Sequence, residues 1–282
     1  MKKPLFNKVC IVGVGLIGGS MGLAIKRLGL AREVVGITKT KKSSALAVKM
    51  RAIDRTAPLS EAIRDADLVI LAAPVLTIIE NLKEISKKSH LLKGPVIDVG
   101  SSKLEILEAA KPLVKKGLFV GCHPMAGSEK RGVENAEAGL FKGSVCYVTS
   151  DSNSKINNLW KTLGVKKIIK VAPDTHDAFV SSVSHLTHIL SFSLMHSLTS
   201  GKINIAKQGV NPSFRSFVRL AKSDPQIWAD IILSNHMEVA LELNKVKKAI
   251  EQFEKASADR AHLVRWLSAA NKKAKTLAPD ER

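Results

Sequence analysis

A glycine-rich turn near the N-terminus links an apolar run to an amphipathic, helix-like stretch. The turn reads GVGLIG over residues 13–18. In this setting the first glycine permits a tight bend, the second lets a pyrophosphate approach the backbone, and the third lets helix and strand pack closely. The phosphates would lie at the positive end of the helix dipole. The pattern predicts a dinucleotide site, the alternative being a turn that serves packing alone. The predicted cofactor contacts are Gly13, Gly15, Leu16, Ile17 and Gly18.

The tip of the second predicted strand bears on the choice of dinucleotide. NAD-binding domains usually have an acidic residue there, about 20 residues beyond the glycines, that binds the ribose 2′-hydroxyl. This chain has Thr38 at that point, followed by Lys39, Lys41 and Lys42. A carboxylate would repel a 2′-phosphate, whereas threonine and lysine can bind one. We therefore predict binding of NADP in preference to NAD through Thr38, Lys39 and Lys41; a solvated basic loop is the alternative.

Two further strand ends carry groups suited to proton transfer. The sequence DVGSSK ends one strand at residues 98–103, and GCHPMAGSE ends the next at residues 121–129. Open parallel sheets bind their ligands at these carboxyl ends. His123 is well placed there for proton transfer, unless it is a histidine that only completes a turn. Cys122 is adjacent, but neighbouring strand residues point to opposite faces, so we expect no Cys–His nucleophilic pair.

The second half of the chain contributes three more candidates. His185 and His188 are three residues apart in an uncharged helical stretch and share one face. No Cys, Asp or Glu is clustered with them at ligand spacing, so we expect no metal site. They line a pocket for an anion, or they are core histidines bonded to the backbone. Arg219 suits bidentate capture of a carboxylate, unless it is a surface arginine at a helix end.

The hydrophobic pattern changes character at about residue 172. Before it, short apolar runs alternate with amphipathic helical stretches, which is the rhythm of a doubly wound α/β domain. Several of the runs are almost continuously apolar, as in strands covered on both faces of a parallel sheet. The sequence therefore predicts a Rossmann-type α/β domain over residues 1–172. The predicted strands are Lys8–Val12, Glu33–Ile37, Leu68–Leu71, Val96–Val99, Leu118–Gly121, Val145–Thr149 and Lys167–Val171.

Residues 173–282 carry helical patterns only, and we predict an all-helical second domain there. A long buried helix is expected at Ala178–Leu198 and a shorter one at Ser213–Lys222. Asp224 and Pro225 resemble a helix cap and a first helical residue, so a long helix is expected from Gln226 toward Lys255. A last helical tail follows from Ala256 and frays at Pro279–Arg282.

The composition describes an ordinary globular protein with an excess of basic residues. The 282 residues are 45% hydrophobic and carry a formal net charge of +19. The excess is spread over both halves of the chain and aromatic residues are few, so we expect attraction of an anionic small molecule and no nucleic-acid partner. The three cysteines lack a CxxC pair, which fits a reducing, cytoplasmic setting. Two uncharged stretches, Val9–Ile25 and Ala178–Gly201, are too rich in glycine or in Ser, Thr and His to be read as membrane spans.

Five motifs in order give the chain a resemblance to a known family. They are GVGLIGGS at 13–20, DVGSSK at 98–103, GCHPMAGSE at 121–129, VSHLTH at 183–188 and RLAKSDPQIW at 219–228. Together they resemble the prephenate/arogenate dehydrogenase family of tyrosine biosynthesis. The resemblance implies a Rossmann domain followed by a helical dimerisation domain, and hence a homodimer.

The resemblance also implies roles for individual residues. His123 matches the catalytic histidine that binds the substrate ring hydroxyl, and Ser101 matches the serine that orients this histidine and touches the nicotinamide. Arg219 matches the arginine that binds prephenate. His185 and His188 match pocket histidines, and Ser128 falls at a hydroxyl position lining the substrate site.

The activity implied is oxidative decarboxylation of prephenate to 4-hydroxyphenylpyruvate and CO2. NAD-preferring members of the family carry an acid where Thr38 stands, so NADP is the expected cofactor and NAD the alternative. Arogenate is the alternative substrate. It is less favoured because its ammonium group needs a nearby carboxylate, and Glu129 is the one acidic residue among the matched pocket positions. A 3-hydroxy-acid dehydrogenase and a non-catalytic dinucleotide-binding protein are the remaining alternatives.

Overall fold

The computed structural model of the chain describes residues 4–150, 154–206, 209 and 211–277. Its centre is a single eight-stranded sheet with the strand order β3-β2-β1-β4-β5-β6-β7-β8. All seven predicted strands are present, and the sequence pattern missed only the two-residue β3. The strands are β1 (Phe6–Val12), β2 (Ala31–Ile37), β3 (Arg55–Thr56), β4 (Leu68–Leu71), β5 (Val96–Asp98), β6 (Phe119–Pro124), β7 (Val145–Val148) and β8 (Lys167–Lys170).

Helices cover both faces of the sheet and make up the chain beyond it. Short 3-10 turns occur at Ser89–Leu91 and Val133–Asn135. The helices are α1 (Leu16–Arg27), α2 (Lys41–Lys49), α3 (Leu59–Ile63), α4 (Val75–Lys87), α5 (Leu104–Val114), α6 (Ser154–Thr162), α7 (Pro173–Val180), α8 (Leu186–His196), α9 (Ser200–Ala206), α10 (Pro212–Ala221), α11 (Pro225–Leu233), α12 (His236–Ala256) and α13 (Arg260–Leu277).

The apolar strands lie inside the sheet, where both of their faces are buried. Every residue of β4 and β5 is buried, and side chains of alternate residues enter separate cores on opposite sides of the sheet. One core contains Ile11 and Met21, and the other contains Val12 and Ile78. This explains why the strands read as continuous apolar runs, and it confirms the predicted doubly wound α/β class.

The sheet departs from a purely parallel arrangement at one position. β6 and β7 pair antiparallel, with His123 opposite Tyr147, whereas the other neighbouring strands pair parallel. The 20-residue connection between these two strands contains a 3-10 turn but no α-helix, so no crossover carries the chain back to the other end of the sheet. The reversal places Tyr147 of β7 directly opposite His123.

The predicted helix at Ala178–Leu198 differs from the observed one in two ways. It begins earlier, at Pro173, and it contains a π-helical turn at Ser181–His185 that separates α7 from α8. It is also less buried than predicted, because only Val180, Ser181, His185 and Ser191 in this stretch are buried. By length and composition alone, Pro173–His196 could cross a membrane, but core helices of globular proteins meet the same criterion, so this is weak evidence for a membrane span.

The long helix predicted from Gln226 toward Lys255 is interrupted. Asp224 caps α11 as predicted, accepting from the backbone N–H of Gln226 and Ile227, but α11 ends at Leu233 and α12 begins at His236. The intervening Ser234 and Asn235 are buried and their side chains bond to other elements of the fold. Buried hydrogen bonds therefore override a helical pattern that runs on in the sequence.

The chain separates into two compact units, Met1–His236 and Met237–Arg282. The first contains the sheet together with α7–α11, because Trp228 and Ile231 of α11 enter the same core as α4 and α5. The second consists of most of α12 together with α13, the predicted tail helix. The predicted fraying at Pro279–Arg282 lies outside the described residues.

Candidate active site

The glycine turn forms a backbone cradle at the start of α1. Gly13 has φ +92°, and a Cβ there would lie 2.7 Å from the carbonyl oxygen of Ala72. A Cβ on Gly18 would overlap the carbonyl oxygen of Gly13, whereas Gly15 faces open space with no atom within 4 Å of its would-be Cβ. No side chain caps the N-terminus of α1. An exposed helix end beside an unobstructed glycine fits a bound pyrophosphate.

The tip of β2 carries a hydroxyl and exposed lysines, as the NADP prediction requires. The Thr38 hydroxyl oxygen lies 2.6 Å from that of Ser44, and Thr40 caps α2. Lys39 and Lys41 are exposed. No ion pair links either lysine to a carboxylate in the described part of the chain. Their ammonium groups are therefore available to an anion at this edge.

His123 lies at the end of β6 and is the first of three hydrogen-bonded groups. Its Nδ1 is 2.8 Å from Nε2 of His176 in α7. The other ring nitrogen of His176, Nδ1, is 2.7 Å from the Asp177 carboxylate. Cys122, the neighbour of His123, points into the apolar core, so the two residues do not form a nucleophilic pair.

The Asp177 carboxylate is anchored at the start of α5. It accepts hydrogen bonds from the backbone N–H of Lys103 at 2.7 Å and of Leu104 at 2.9 Å. These donors are the free amides that every helix N-terminus presents. Among the hydrogen bonds of the described residues, none joins Ser101 to His123, so the observed partner that orients His123 is His176.

A buried ion pair lies next to this chain of hydrogen bonds. The Lys103 ammonium contacts the Asp98 carboxylate, and both side chains are fully buried. Asp98 also accepts from the backbone N–H of Gly100 at 2.8 Å and of Cys122 at 3.3 Å. Burial raises the pKa of the Asp98 carboxyl, and the adjacent ammonium opposes that rise. The Asp98 carboxylate thus joins the end of β5, which precedes Ser101, to the backbone of β6 next to His123, and Lys103 balances its charge.

The electrostatic surroundings keep His123 uncharged. Burial lowers its pKa well below 6.5, and the proximity of the basic groups of His176, Lys103 and His185 disfavours a second positive charge and lowers it further. A ring that is neutral at physiological pH can accept a proton.

Two histidines of the helical region lie beside Trp228. His188 stacks on its ring at a centroid distance of 3.7 Å, and His185 packs edge-on at 6.0 Å. Nδ1 of His188 donates to the carbonyl oxygen of Ser184 at 3.0 Å, which leaves Nε2 for a ligand. The Asn235 side chain lies 3.3 Å from Nδ1 of His185 and donates to the Asp177 carbonyl oxygen. Burial lowers the pKa of His185 to about 4.

Arg219 occupies the outer part of this region. Its guanidinium lies 4.0 Å from the Glu129 carboxylate, and its charge contributes to lowering the pKa of His188. Ser128, next to Glu129, is exposed, and its hydroxyl accepts from the backbone N–H of Lys130. Arg131 contacts Asp224, the cap of α11. The segment after β6 therefore meets the helical region through two ion pairs.

The predicted chemical groups thus form one continuous set. His123 contacts His176, which contacts Asp177, and Asn235 joins the Asp177 backbone to His185. His185 and His188 pack on the same Trp228 ring, and Arg219 lies near Glu129, six residues beyond His123. The described residues contain no group of three or more His, Cys, Asp and Glu side chains suited to a metal. Sequence reasoning missed the partners His176, Asp177, Lys103 and Asn235. An adjacent His-Asp pair at the start of a predicted helix was the available signal.

Comparison with known proteins decides the family. A model described as the nucleotide-binding domain of prephenate dehydrogenase matches residues 21–169, and one described as its dimerization domain matches residues 172–269. The chain belongs to the prephenate dehydrogenase family.

Individual relatives agree with this membership. The chain is 35% identical to a prephenate dehydrogenase of Lactococcus lactis over 254 residues, covering 87% of this chain and 70% of that protein. It is 30% identical to one from Bacillus subtilis over 263 residues, covering 87% and 71%. A prephenate dehydrogenase of A. aeolicus, solved with hydroxyphenyl propionate and NAD+, superposes with a TM-score of 0.84 at 28% identity, covering 96% of this chain and 98% of that one.

The Lys103–Asp98 pair gives a testable consequence for the stability of this dehydrogenase. Lys103→Met leaves a buried carboxylate without its cation, which costs about 3–5 kcal/mol in comparable cases. We expect a corresponding fall in the free energy of unfolding, measured by urea titration with circular dichroism. Adding Asp98→Asn to Lys103→Met removes the orphan charge and should recover part of the loss. Equal stability of Lys103→Met and the parent chain would contradict the structural role given to the pair.

Proposed function

We propose that this enzyme oxidises and decarboxylates prephenate to 4-hydroxyphenylpyruvate and CO2, a step of tyrosine biosynthesis. The observation that carries the proposal is the run of contacts from His123 through His176, Asp177 and Asn235 to His185 at the carboxyl edge of a dinucleotide-binding sheet. His188 shares the Trp228 ring with His185, and Arg219 lies near Glu129 in the segment after His123. A base, two further imidazoles and a guanidinium suit a substrate with one hydroxyl to be oxidised and two carboxylates. The family membership and the A. aeolicus structure with its phenolic ligand support the same reading.

The glycine cradle fits a nicotinamide dinucleotide. Gly15 leaves the backbone open, and the uncapped amides of α1 would bind the pyrophosphate. When bound, the nicotinamide would accept the hydride from the carbinol carbon of prephenate. We assign the remaining contacts to Leu16 and Ile17 at the start of α1, and to Ser101 at the end of β5.

His123 would take the proton from the substrate hydroxyl. Its uncharged ring has Nε2 free of the contact to His176, and that nitrogen would receive the proton as the carbinol becomes a carbonyl. Loss of the ring carboxylate as CO2 then leaves its bonding electrons in the ring. The ring oxygen takes the proton back from His123 and becomes a phenol, so the histidine ends each cycle unchanged.

Arg219 and the pocket histidines would hold the substrate. The guanidinium offers paired donors to one carboxylate, and Nε2 of His188 offers a further group at the same site. We place the Ser128 hydroxyl at the rim, beside Glu129. Because Glu129 already lies near Arg219, it is less suited to binding the ammonium group that distinguishes arogenate, and prephenate is the favoured substrate.

Of the two nicotinamide dinucleotides, we favour NADP, with NAD as the alternative. Thr38, Lys39 and Lys41 provide a hydroxyl and two unpaired ammonium groups where an acid would select NAD. The A. aeolicus relative was solved with NAD+, so both dinucleotides belong in the test.

We further propose a cytoplasmic homodimer formed through the helical domain at residues 173–282. The matching family model is described as a dimerization domain. Large apolar side chains are exposed in α7, the π turn and α10, namely Phe179, Val183 and Phe217, and a second copy would cover them. The expectations of no nucleic-acid partner, no membrane partner and no metal stay predictions.

The proposed activity is tested by following reduced-nicotinamide absorbance with prephenate or arogenate against NAD or NADP. We expect the highest kcat/KM with prephenate and NADP. His123→Asn should lower kcat by about 10²–10⁴-fold, the usual contribution of a general base. Cofactor affinity, measured by fluorescence titration, should change little because the substituted side chain would lie away from the glycine cradle. Full turnover by His123→Asn, or no turnover of either substrate by the parent chain, would refute the proposal.

The cofactor preference is tested by Thr38→Asp. A carboxylate beside a 2′-phosphate costs about 1.4 kcal/mol or more, so we expect the ratio of kcat/KM for NADP over NAD to fall by about tenfold or more. Thr38→Asn is the matched control, because it has the size of Asp without its charge. An unchanged ratio in Thr38→Asp would mean that other residues bind the ribose.

A further inference from the structure

The contact between His123 and His176 involves a residue, His176, to which the family resemblance gives no role. Both ring nitrogens of His176 are bonded, Nε2 to His123 at 2.8 Å and Nδ1 to Asp177 at 2.7 Å. The side chains of His176 and Asp177 are buried. Such a chain of bonds fixes more than position, because it constrains which nitrogen of each imidazole carries hydrogen.

The hydrogen positions follow from the Asp177 end of the chain. Its carboxylate already accepts two backbone N–H groups, from Lys103 and Leu104, and an ionised carboxylate can only accept. Nδ1 of His176 must therefore donate. In the uncharged ring, Nε2 of His176 is then a bare acceptor.

The bare nitrogen of His176 in turn determines where hydrogen lies on the His123 ring. A bare Nε2 on His176 can bond to Nδ1 of His123 only if that nitrogen carries hydrogen. In neutral His123 the lone pair is then on Nε2, the nitrogen turned away from His176. That nitrogen is the one a general base needs, whereas the opposite tautomer would present an N–H that cannot accept a proton.

Neighbouring rings hold His176 in this orientation. The ring of Tyr147, which pairs opposite His123 across β6 and β7, packs edge-on against His176 at 5.8 Å. Phe179 lies against Tyr147 at 5.6 Å. The antiparallel pairing of β7 thus brings the aromatic ring of Tyr147 against the pair His123 and His176.

We propose that His176 and Asp177 are positioning residues that fix the tautomer of His123, with the lone pair on Nε2. Asp177 sets the hydrogen on His176, and His176 transmits that choice to His123. When His123 holds the substrate proton, the same chain stabilises the imidazolium through the Asp177 carboxylate. The effect on turnover rests on the proposed function, whereas the tautomer itself does not.

Two substitutions of His176 separate the acceptor from the ring. An asparagine amide occupies approximately the place of Nδ1, so His176→Asn can still bond to Asp177 but leaves His123 without an acceptor. A glutamine amide reaches approximately the place of Nε2, so His176→Gln can still accept from Nδ1 of His123. We expect kcat to fall by about 100-fold in His176→Asn, within the range that a general base contributes. KM for prephenate should change less than about threefold.

Rescue by glutamine distinguishes positioning from a merely structural role. His176→Gln should retain at least about a tenth of the parent kcat. His90→Asn, at an exposed histidine far from this chain of bonds, should match the parent. Turnover in His176→Asn equal to the parent, or equal losses in the Asn and Gln variants, would overturn the proposal.

The tautomer is measured directly by nitrogen NMR of the substrate-free protein labelled with ¹⁵N-histidine. The His123 signals are assigned from their loss in His123→Asn. We expect a protonated Nδ1 and a bare Nε2 in the parent, and a mixture of tautomers in His176→Asn. A bare Nδ1 in the parent would overturn the proposal. The expected tautomer in a chain that does not oxidise prephenate would refute the proposed function and leave the positioning role intact.

Discussion

One buried carboxylate, that of Asp177, joins the sheet region to the helical region at the proposed active site. Asp177 belongs to α7, yet it accepts from two backbone amides at the start of α5 and from a ring nitrogen of His176. These bonds hold the first helix of the helical region against the carboxyl edge of the sheet. His176 is thereby set against His123 on the neighbouring strand. Asp177 therefore fixes the position of His176, a residue of the helical region, relative to His123, a residue of the sheet.

The charges around the site divide into two kinds. The Lys103–Asp98 pair is fully buried and compensated, and the Asp98 carboxylate also accepts from the backbone N–H of Cys122, which joins the ends of β5 and β6. Around His123 and His185, burial suppresses protonation and keeps both imidazoles neutral at physiological pH. Arg219, half-exposed at the outer side, retains its charge for an anion. In the proposed function, the neutral imidazole of His123 takes the proton and the cation of Arg219 binds the acidic substrate.

The sequence predicted what local patterns determine and missed what distant contacts decide. The strands, the glycine turn and the Asp224 cap follow from short-range periodicity and stereochemistry, and all appear in the structure. The interruption of the last long helix does not, because Asn235 bonds to residues about 50–58 positions away. The partner of His123 lies 53 residues further along the chain. The reversed β7 likewise depends on how a long connection packs, which periodicity does not encode.

The central claim is that the imidazole of β6 and the guanidinium of α10 act on one substrate molecule. A crystal structure with 4-hydroxyphenylpyruvate and an oxidised nicotinamide dinucleotide tests it most directly. We expect the phenolic oxygen within about 2.6–3.2 Å of His123 Nε2, the carboxylate on Arg219, and the pyrophosphate over Gly15. A phenolic oxygen out of reach of His123, or a ligand that contacts only one of the two groups, would contradict it.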